Sequence, residues 1–203
     1  GFIQTGFRLA AVTGISGLSF LSAWKEEEDG EGQEVSPPED RRQELGVQNR
    51  ILLVYDTCRT HLLNKTDFSK EALYSSADII RTFVDDYHEK QEEDYLFPRF
   101  RKANVLVDLV DVLLQQHKAG RTITDRVMQL SKLANPSENE IQQLIALLAS
   151  FNTMYRPHEA REDTVLFPAF RKSVSKHEYD SLGETFEDNE HKRFGKEGFE
   201  AIV

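Results

Sequence analysis

Only one cysteine occurs among the 203 residues. An intrachain disulfide is therefore impossible, and the chain cannot build a zinc or iron–sulfur site from cysteines. Cys58 falls inside an apolar stretch with helical spacing. We expect it to be a buried, unreactive thiol, as free cysteines in cores usually are.

Positive charge is also scarce, since 25 lysines and arginines face 35 aspartates and glutamates and the net charge is −10. A nucleic-acid-binding protein needs a basic face to contact phosphates, so this class is disfavoured. The excess of carboxylates fits either a solvated acidic surface or a metal-binding protein.

No apolar run is long enough for a stable membrane span. Residues 9–24 are almost uncharged, but sixteen residues fall short of the roughly 20 that cross a bilayer. We assign residues 1–24 to an export-signal-like or N-terminal apolar segment. Residues 25–37 form an acidic linker, residues 38–196 the folded domain, and residues 197–203 a tail. A signal would make the protein exported, to the periplasm; without one it would be cytoplasmic.

No long alternation of polar and apolar residues predicts a strand, whereas apolar residues recur at helical spacing beyond residue 38. Pro98 should break or kink the second helix, Pro157 should kink the fourth near Thr153, and Ser137 with Glu140 forms a capping box. The sequence predicts an all-α antiparallel four-helix bundle with a short fifth helix. The expected helices cover residues 39–64, 69–97, 104–133, 137–174 and 176–194.

An internal repeat carries the chemistry. Residues 88–102 read HEKQEEDYLFPRFRK and residues 158–172 read HEAREDTVLFPAFRK. His and Glu four residues apart share one helix face, so each copy can direct an imidazole and a carboxylate at the same metal or at two adjacent metals. Iron or manganese suits these ligands, and zinc less specifically. The alternative is an ordinary surface His-Glu pair duplicated by ancestry, but the shared Leu-Phe-Pro-x-Phe-Arg-Lys favours the metal site.

With these motifs the chain resembles the hemerythrin-like HHE cation-binding family over about residues 38–195. The resemblance implies a non-haem, usually di-iron, centre inside a four-helix bundle, with two carboxylates bridging the metals. It assigns five ligands: His88, Glu92, His117, His158 and Glu162. Tyr87 and Tyr155 precede the ligand histidines and are candidate hydrogen-bond donors to the ligands, although core aromatic residues are equally expected there.

Helix 1 departs from the family pattern, because Leu45 occupies the position at which the resemblance implies a histidine. The metal held by His117 and His158 would keep both imidazoles, whereas the metal at His88 would keep one imidazole and the two carboxylates. That altered position could bind water, O₂ or peroxide, or its metal could be weakly held or absent. In the C-terminal helix His177 and His191 are expected on the solvated surface, with an accessory site of Glu187, Glu190 and His191 as the alternative.

No nucleotide-binding loop, nucleophile motif or second domain is present to build a large substrate pocket. The leading hypothesis is therefore a non-haem iron protein that binds or senses O₂ or a related small diatomic, rather than an enzyme. Two alternatives stay open: turnover of peroxide or nitric oxide at the same iron, and a degenerate bundle with one metal or none. The sequence indicates no protein partner.

Overall fold

The structure, a computed structural model, describes residues 37–196 and residue 198, with side chains from Gly46 onward. The apolar segment 1–24, the acidic linker before Pro37 and the tail other than Gly198 lie outside these residues. Within the described part every regular element is helical and no strand occurs, as predicted. Helix α1 spans Pro37–Leu63, helix α3 spans Val107–Ser131 and helix α5 spans Lys176–Phe194. None of the described helices is both long and apolar enough to cross a membrane.

The two helices that carry the repeat contain wide, π-helical turns. Helix α2 covers residues 70–103 as five consecutive segments: Lys70–Ile79, π-helical Ile80–His88, Glu89–Gln91, π-helical Glu92–Leu96 and Phe97–Ala103. Helix α4 covers residues 138–173 as three: Glu138–Arg161, π-helical Glu162–Leu166 and Phe167–Ser173. Such turns often mark functional sites. Here Glu92 and Glu162, the two predicted carboxylate ligands, each begin one.

The prediction that helix α2 ends at Phe97 is wrong, because the helix continues past Pro98 to Ala103. A proline is costly inside a helix because it lacks an N–H, but it is tolerated in a first turn. The preceding π-helical turn starts a new α-helical segment at Phe97, so Pro98 stands in a first turn. Pro168 stands in the same place after the second π-helical turn.

Serine side chains cap the starts of the later helices. Ser69 and Ser175 accept hydrogen bonds from backbone N–H groups of helices α2 and α5. Ser137 and Glu140 form the predicted capping box, in which the Ser137 N–H donates to Glu140 Oε2 at 2.7 Å. Helix α3 begins three residues later than expected, because Asn104 and Leu106 adopt left-handed backbone conformations with φ of 53° and 50°.

Helix α1 packs against helices α2 and α4, and helix α3 packs against the same two helices. One buried apolar cluster runs from Val47 to Tyr155 and includes Cys58, whose predicted burial is confirmed and raises the pKa of its thiol. A second cluster joins the ends of helices α2 and α4 to helix α5 through residues such as Phe100 and Phe170. The repeated His-Glu motifs fall between these clusters in the sequence, so a polar layer separates two apolar ones.

Candidate metal centre

The structure brings the five predicted ligands together. His88 and Glu92 come from helix α2, His117 from helix α3, and His158 and Glu162 from helix α4. All five are buried, with at most 3% of each residue exposed. The four-residue spacing places each His above its Glu on one helix face, and the packing of α3 against both α2 and α4 adds the third imidazole.

The Nε2 atoms of the histidines face the carboxylates. His158 Nε2 lies 2.8 Å from Glu162 Oε1, and His88 Nε2 lies 3.7 Å from Glu92 Oε1. His117 Nε2 lies between the two acids, 3.6 Å from Glu92 Oε2 and 3.9 Å from Glu162 Oε1. Among the residues with described side chains, three groups of possible ligand atoms each lie within 4.8 Å of one another, and one of them joins Glu89 and Glu93 to His117. The other two contain only predicted ligands: His117, His158 and Glu162, and His88, Glu92 and Glu162. Glu162 belongs to both groups.

The residues fit a metal ion. Although they are buried, neither His117 Nε2 nor Glu162 Oε1 has a well-directed hydrogen bond, even though His158 Nε2 lies only 2.8 Å from that Glu162 oxygen. Buried polar atoms of this kind are costly unless something satisfies them. Converging imidazole nitrogens and carboxylate oxygens are the donor set that iron and manganese accept.

Neighbouring charges strongly shift the pKa values of His117 and Glu162. Burial would lower the pKa of His117, but its interactions with Glu162 and Glu93 and the charges of Glu89 and Glu92 outweigh burial and raise the pKa to about 10. Burial would raise the pKa of Glu162, but the neighbouring histidines, His158 foremost, hold it well below its usual range. A metal ion bound at Nε2 of His117 must therefore displace a proton.

The Nδ1 atoms of two of the histidines have defined partners on the side away from the carboxylate ligands. His117 Nδ1 lies 3.1 Å from Glu93 Oε1, and His158 Nδ1 lies 3.0 Å from Gln116 Oε1. Because a carboxylate or an amide oxygen can only accept here, both Nδ1 atoms are donors. Nε2 is then the atom left to bind a metal.

Sequence reasoning missed a ladder of charged residues between helices α2 and α3. Its members recur every four residues on both helices: Arg81, Asp85, Glu89 and Glu93 on α2, and His117, Arg121 and Asp125 on α3. Arg121 Nη2 contacts Glu89 Oε2 at 2.8 Å and Glu93 Oε1 at 2.7 Å, and Arg81 pairs with Asp85 and Asp125. Burial and the charge of Glu89 raise the pKa of Asp85 to about 8.

A signal for part of this ladder was available in the repeat. Each copy begins with a His-Glu pair, and the second residue of each pair, Glu89 and Glu159, is buried. Burial first, and then the charge of Glu162, raises the pKa of Glu159 to about 8. The repeat therefore duplicates two acids per copy inside the fold, and only one of them was predicted.

The two tyrosines occupy different environments. The Tyr155 hydroxyl donates to Glu89 Oε1 at 2.6 Å, and its ring lies 5.2 Å from that of His158. Tyr155 therefore contacts a ligand histidine but donates its hydrogen bond to Glu89. The Tyr87 hydroxyl donates to the backbone oxygen of Phe186 in helix α5 at 3.3 Å.

The other flagged positions contribute less to the centre. Leu45 lies within helix α1, but its side chain is outside the described part of the chain. His177, Glu187 and His191 are exposed, as expected, whereas Glu190 is buried. Among the residues with described side chains, no group of metal-ligating atoms forms on helix α5.

Comparison with known proteins gives one family match and three curated relatives. The model of the hemerythrin HHE cation binding domain matches residues 59–170, more than half of the chain, including all five predicted ligands but not Leu45. The uncharacterized proteins Mb2018 of Mycobacterium bovis and MT2051 and Rv1995 of Mycobacterium tuberculosis are each 44% identical over 170 residues. The alignment covers 83% of this chain and 67% of each relative. No solved structure matches the chain.

Proposed function

Because the chain belongs to the hemerythrin HHE cation-binding family, we propose that it is a non-haem iron protein that binds or senses O₂ or a related small diatomic. The observation that carries this proposal is the buried convergence of three imidazoles and two carboxylates. The sharing of Glu162 between two groups of predicted ligands supports a site for two metals.

The proposed scaffold is an antiparallel four-helix bundle of helices α1 to α4. Side-chain contacts between α1 and α4 support opposite directions: Asn152 donates to the backbone oxygen of Leu52 at 2.9 Å, and Asn49 bonds to Glu159. Residue numbers therefore rise along helix α4 in the direction in which they fall along helix α1. By this register the residues just before Asn49 lie level with His158 and Glu162, which supports the alignment that puts the start of helix α1 at the site.

Within this scaffold His117 and His158 would hold one metal and His88 the other, with Glu92 and Glu162 contributing to both. Iron bound there supplies reversible redox chemistry towards a small diatomic. The protein supplies apolar walls on the side of the second apolar cluster: Phe97 stacks on His117 with ring centres 5.5 Å apart, and Leu96 and Leu166 are buried beyond the acids. Such walls exclude water and admit small uncharged ligands.

Anaerobic loading with Fe²⁺ tests the proposal directly. We expect about two irons per chain, or one at the His117 and His158 position if Leu45 disables the other, and a change in visible absorption when O₂ is added. His158→Ala should abolish binding at its position, whereas the exposed His177→Ala is the matched control and should bind like the parent. A parent protein that takes up no iron, or loads iron but shows no spectral response to O₂, contradicts the proposal.

A second candidate function is turnover of peroxide or nitric oxide at the same iron. Unequal metal positions favour it: with Glu92 and Glu162 contributing to both, the metal at His88 would have three protein ligands, whereas the metal at His117 and His158 would have four. A metal with fewer protein ligands keeps positions for a reactant. Steady-state peroxide consumption by the iron-loaded protein distinguishes turnover from binding. A rate no higher than that of free iron dismisses turnover.

The same inequality supports a third candidate, a bundle that holds a single metal. Iron analysis after anaerobic loading decides it: one iron that is lost in His158→Ala but retained in His88→Ala would establish the single-metal form. Two irons in the parent protein would exclude it.

A further inference from the structure

The His117 ring lies between two consecutive glutamates of helix α2. Glu92 Oε2 is 3.6 Å from its Nε2, and Glu93 Oε1 is 3.1 Å from its Nδ1. Consecutive helical residues point in different directions, which allows Glu92 and Glu93 to reach opposite edges of one imidazole. One glutamate therefore faces the nitrogen that would bind metal and the other faces the nitrogen that carries a proton.

Glu93 is held in place on both sides. Lys90 Nζ lies 2.6 Å from Glu93 Oε2, and Arg121 Nη2 lies 2.7 Å from Glu93 Oε1. Arg121 is fixed in turn by Glu89, 2.8 Å away, and donates to the backbone oxygen of Asp85 at 3.2 Å. Only 12% of the Glu93 side chain is exposed. A carboxylate with two cationic partners keeps its position and its negative charge.

The second histidine of the same predicted metal position has a neutral partner. His158 Nδ1 lies 3.0 Å from Gln116 Oε1, so an amide takes the place that a carboxylate has at His117. In the repeat the counterpart of Glu93 is Asp163, which is exposed. The two imidazoles therefore differ in the group that accepts their Nδ1 proton, although their Nε2 atoms face the same carboxylate.

From this arrangement we infer that Glu93 is a positioning residue of the metal centre, which orients His117 and makes it the stronger electron donor of the His117 and His158 pair. An acceptor at Nδ1 fixes the tautomer and the ring orientation, and an anionic acceptor raises the basicity of Nε2 more than a neutral one does. Stronger donation stabilises the more oxidised state of a bound metal. The inference rests on the proposed function, because it concerns the same site.

The test replaces each acceptor by the isosteric residue of the other class. Glu93→Gln should weaken Fe²⁺ binding at this position by about 10–100-fold and raise the midpoint potential of the bound iron. Gln116→Glu should lower that potential, because it gives His158 an anionic acceptor. Asp163→Asn is the matched control: it makes the same charge change at the corresponding place of the other motif and should move neither quantity appreciably. The measurements are anaerobic Fe²⁺ titration and spectroelectrochemistry of the full chain.

Potential shifts of opposite sign in Glu93→Gln and Gln116→Glu would support the inference, because general loss of structure cannot produce them. If Glu93→Gln does not fold, the shift in Gln116→Glu decides the outcome. If the parent protein binds iron but Glu93→Gln has the same Fe²⁺ affinity and midpoint potential as Asp163→Asn, the inference is overturned. The proposed function is then left standing. A parent protein that takes up no iron overturns both.

Discussion

Gly120 is a position at which a single added methyl group should destabilise the protein. A Cβ atom built there lies 2.2 Å from the Tyr155 hydroxyl oxygen and 2.9 Å from two ring carbons, well inside contact distance. Tyr155 cannot easily retreat, because it is fully buried and stacks on Phe151 with ring centres 4.2 Å apart. Gly120→Ala must therefore displace the Tyr155 ring and weaken the hydrogen bond from Tyr155 to Glu89.

The expected cost follows from three contributions. Overpacking a core costs about 1–3 kcal/mol, and weakening a hydrogen bond to a charged group costs about 1.5–3 kcal/mol. Replacing glycine by alanine inside a helix stabilises the folded state by about 1 kcal/mol. We therefore expect Gly120→Ala to lower the free energy of unfolding by about 1.5–5 kcal/mol relative to the parent.

Gly46→Ala is the matched control. Gly46 is exposed in helix α1, and an added Cβ meets none of the described atoms within 4 Å. Only helix propensity should matter there, so the free energy of unfolding of this variant should rise by about 0.5–1 kcal/mol. Urea unfolding with linear extrapolation measures both changes.

The double variant Gly120→Ala with Tyr155→Phe isolates the clash. It removes the closest atom, so it should be more stable than the sum of the two single effects. If Gly120→Ala is as stable as Gly46→Ala, or the double variant is simply additive, the assigned close approach of helix α3 to Tyr155 is wrong.

Three further predictions concern the metal centre. Leu45→His should raise iron occupancy at the His88 position, as anaerobic iron analysis would show, and unchanged occupancy would contradict the alignment of helix 1. Because the folded protein raises the pKa of His117 from 6.5 to about 10, the stability contributed by its charged form is complete below pH 6.5. That contribution should decline as the pH rises towards 10, measured by urea unfolding of metal-free protein, while Fe²⁺ binding tightens over the same window because the proton leaves more easily. A chelator should lower the melting temperature of the loaded protein, since ligand at about 100 times its dissociation constant stabilises by roughly 2.7 kcal/mol.

The sequence predicted the helices and the two His-Glu pairs because both depend on one local periodicity, whereas His117 was assigned by the family resemblance. The start of helix α5 at Lys176 was placed correctly, since Ser175 caps it. His88 with Glu92 and His158 with Glu162 share helix faces whatever the rest of the chain does. The family assignment was also confirmed, as the matched residues contain all five positions.

Other features depend on which helix faces which, and a single sequence does not contain that information directly. The role of Arg121 requires knowing that helix α3 presents it to Glu89 and Glu93. Helix α2 continues past Pro98 because of the π-helical turn before it, and no residue type in the sequence predicts that turn. The left-handed conformation of Leu106, which delays helix α3, is equally hidden, because leucine rarely adopts it.

The wide turns after Glu92 and Glu162 have a consequence for how this protein can change over evolutionary time. A π-helical turn arises when a helix accommodates one inserted residue without ending. Deleting one residue from either turn would restore a regular helix and so change the local backbone geometry at Glu92 or Glu162, where each turn begins. Both copies of the motif should therefore tolerate substitutions better than changes in length. Insertions and deletions should occur mainly in the connections between helices.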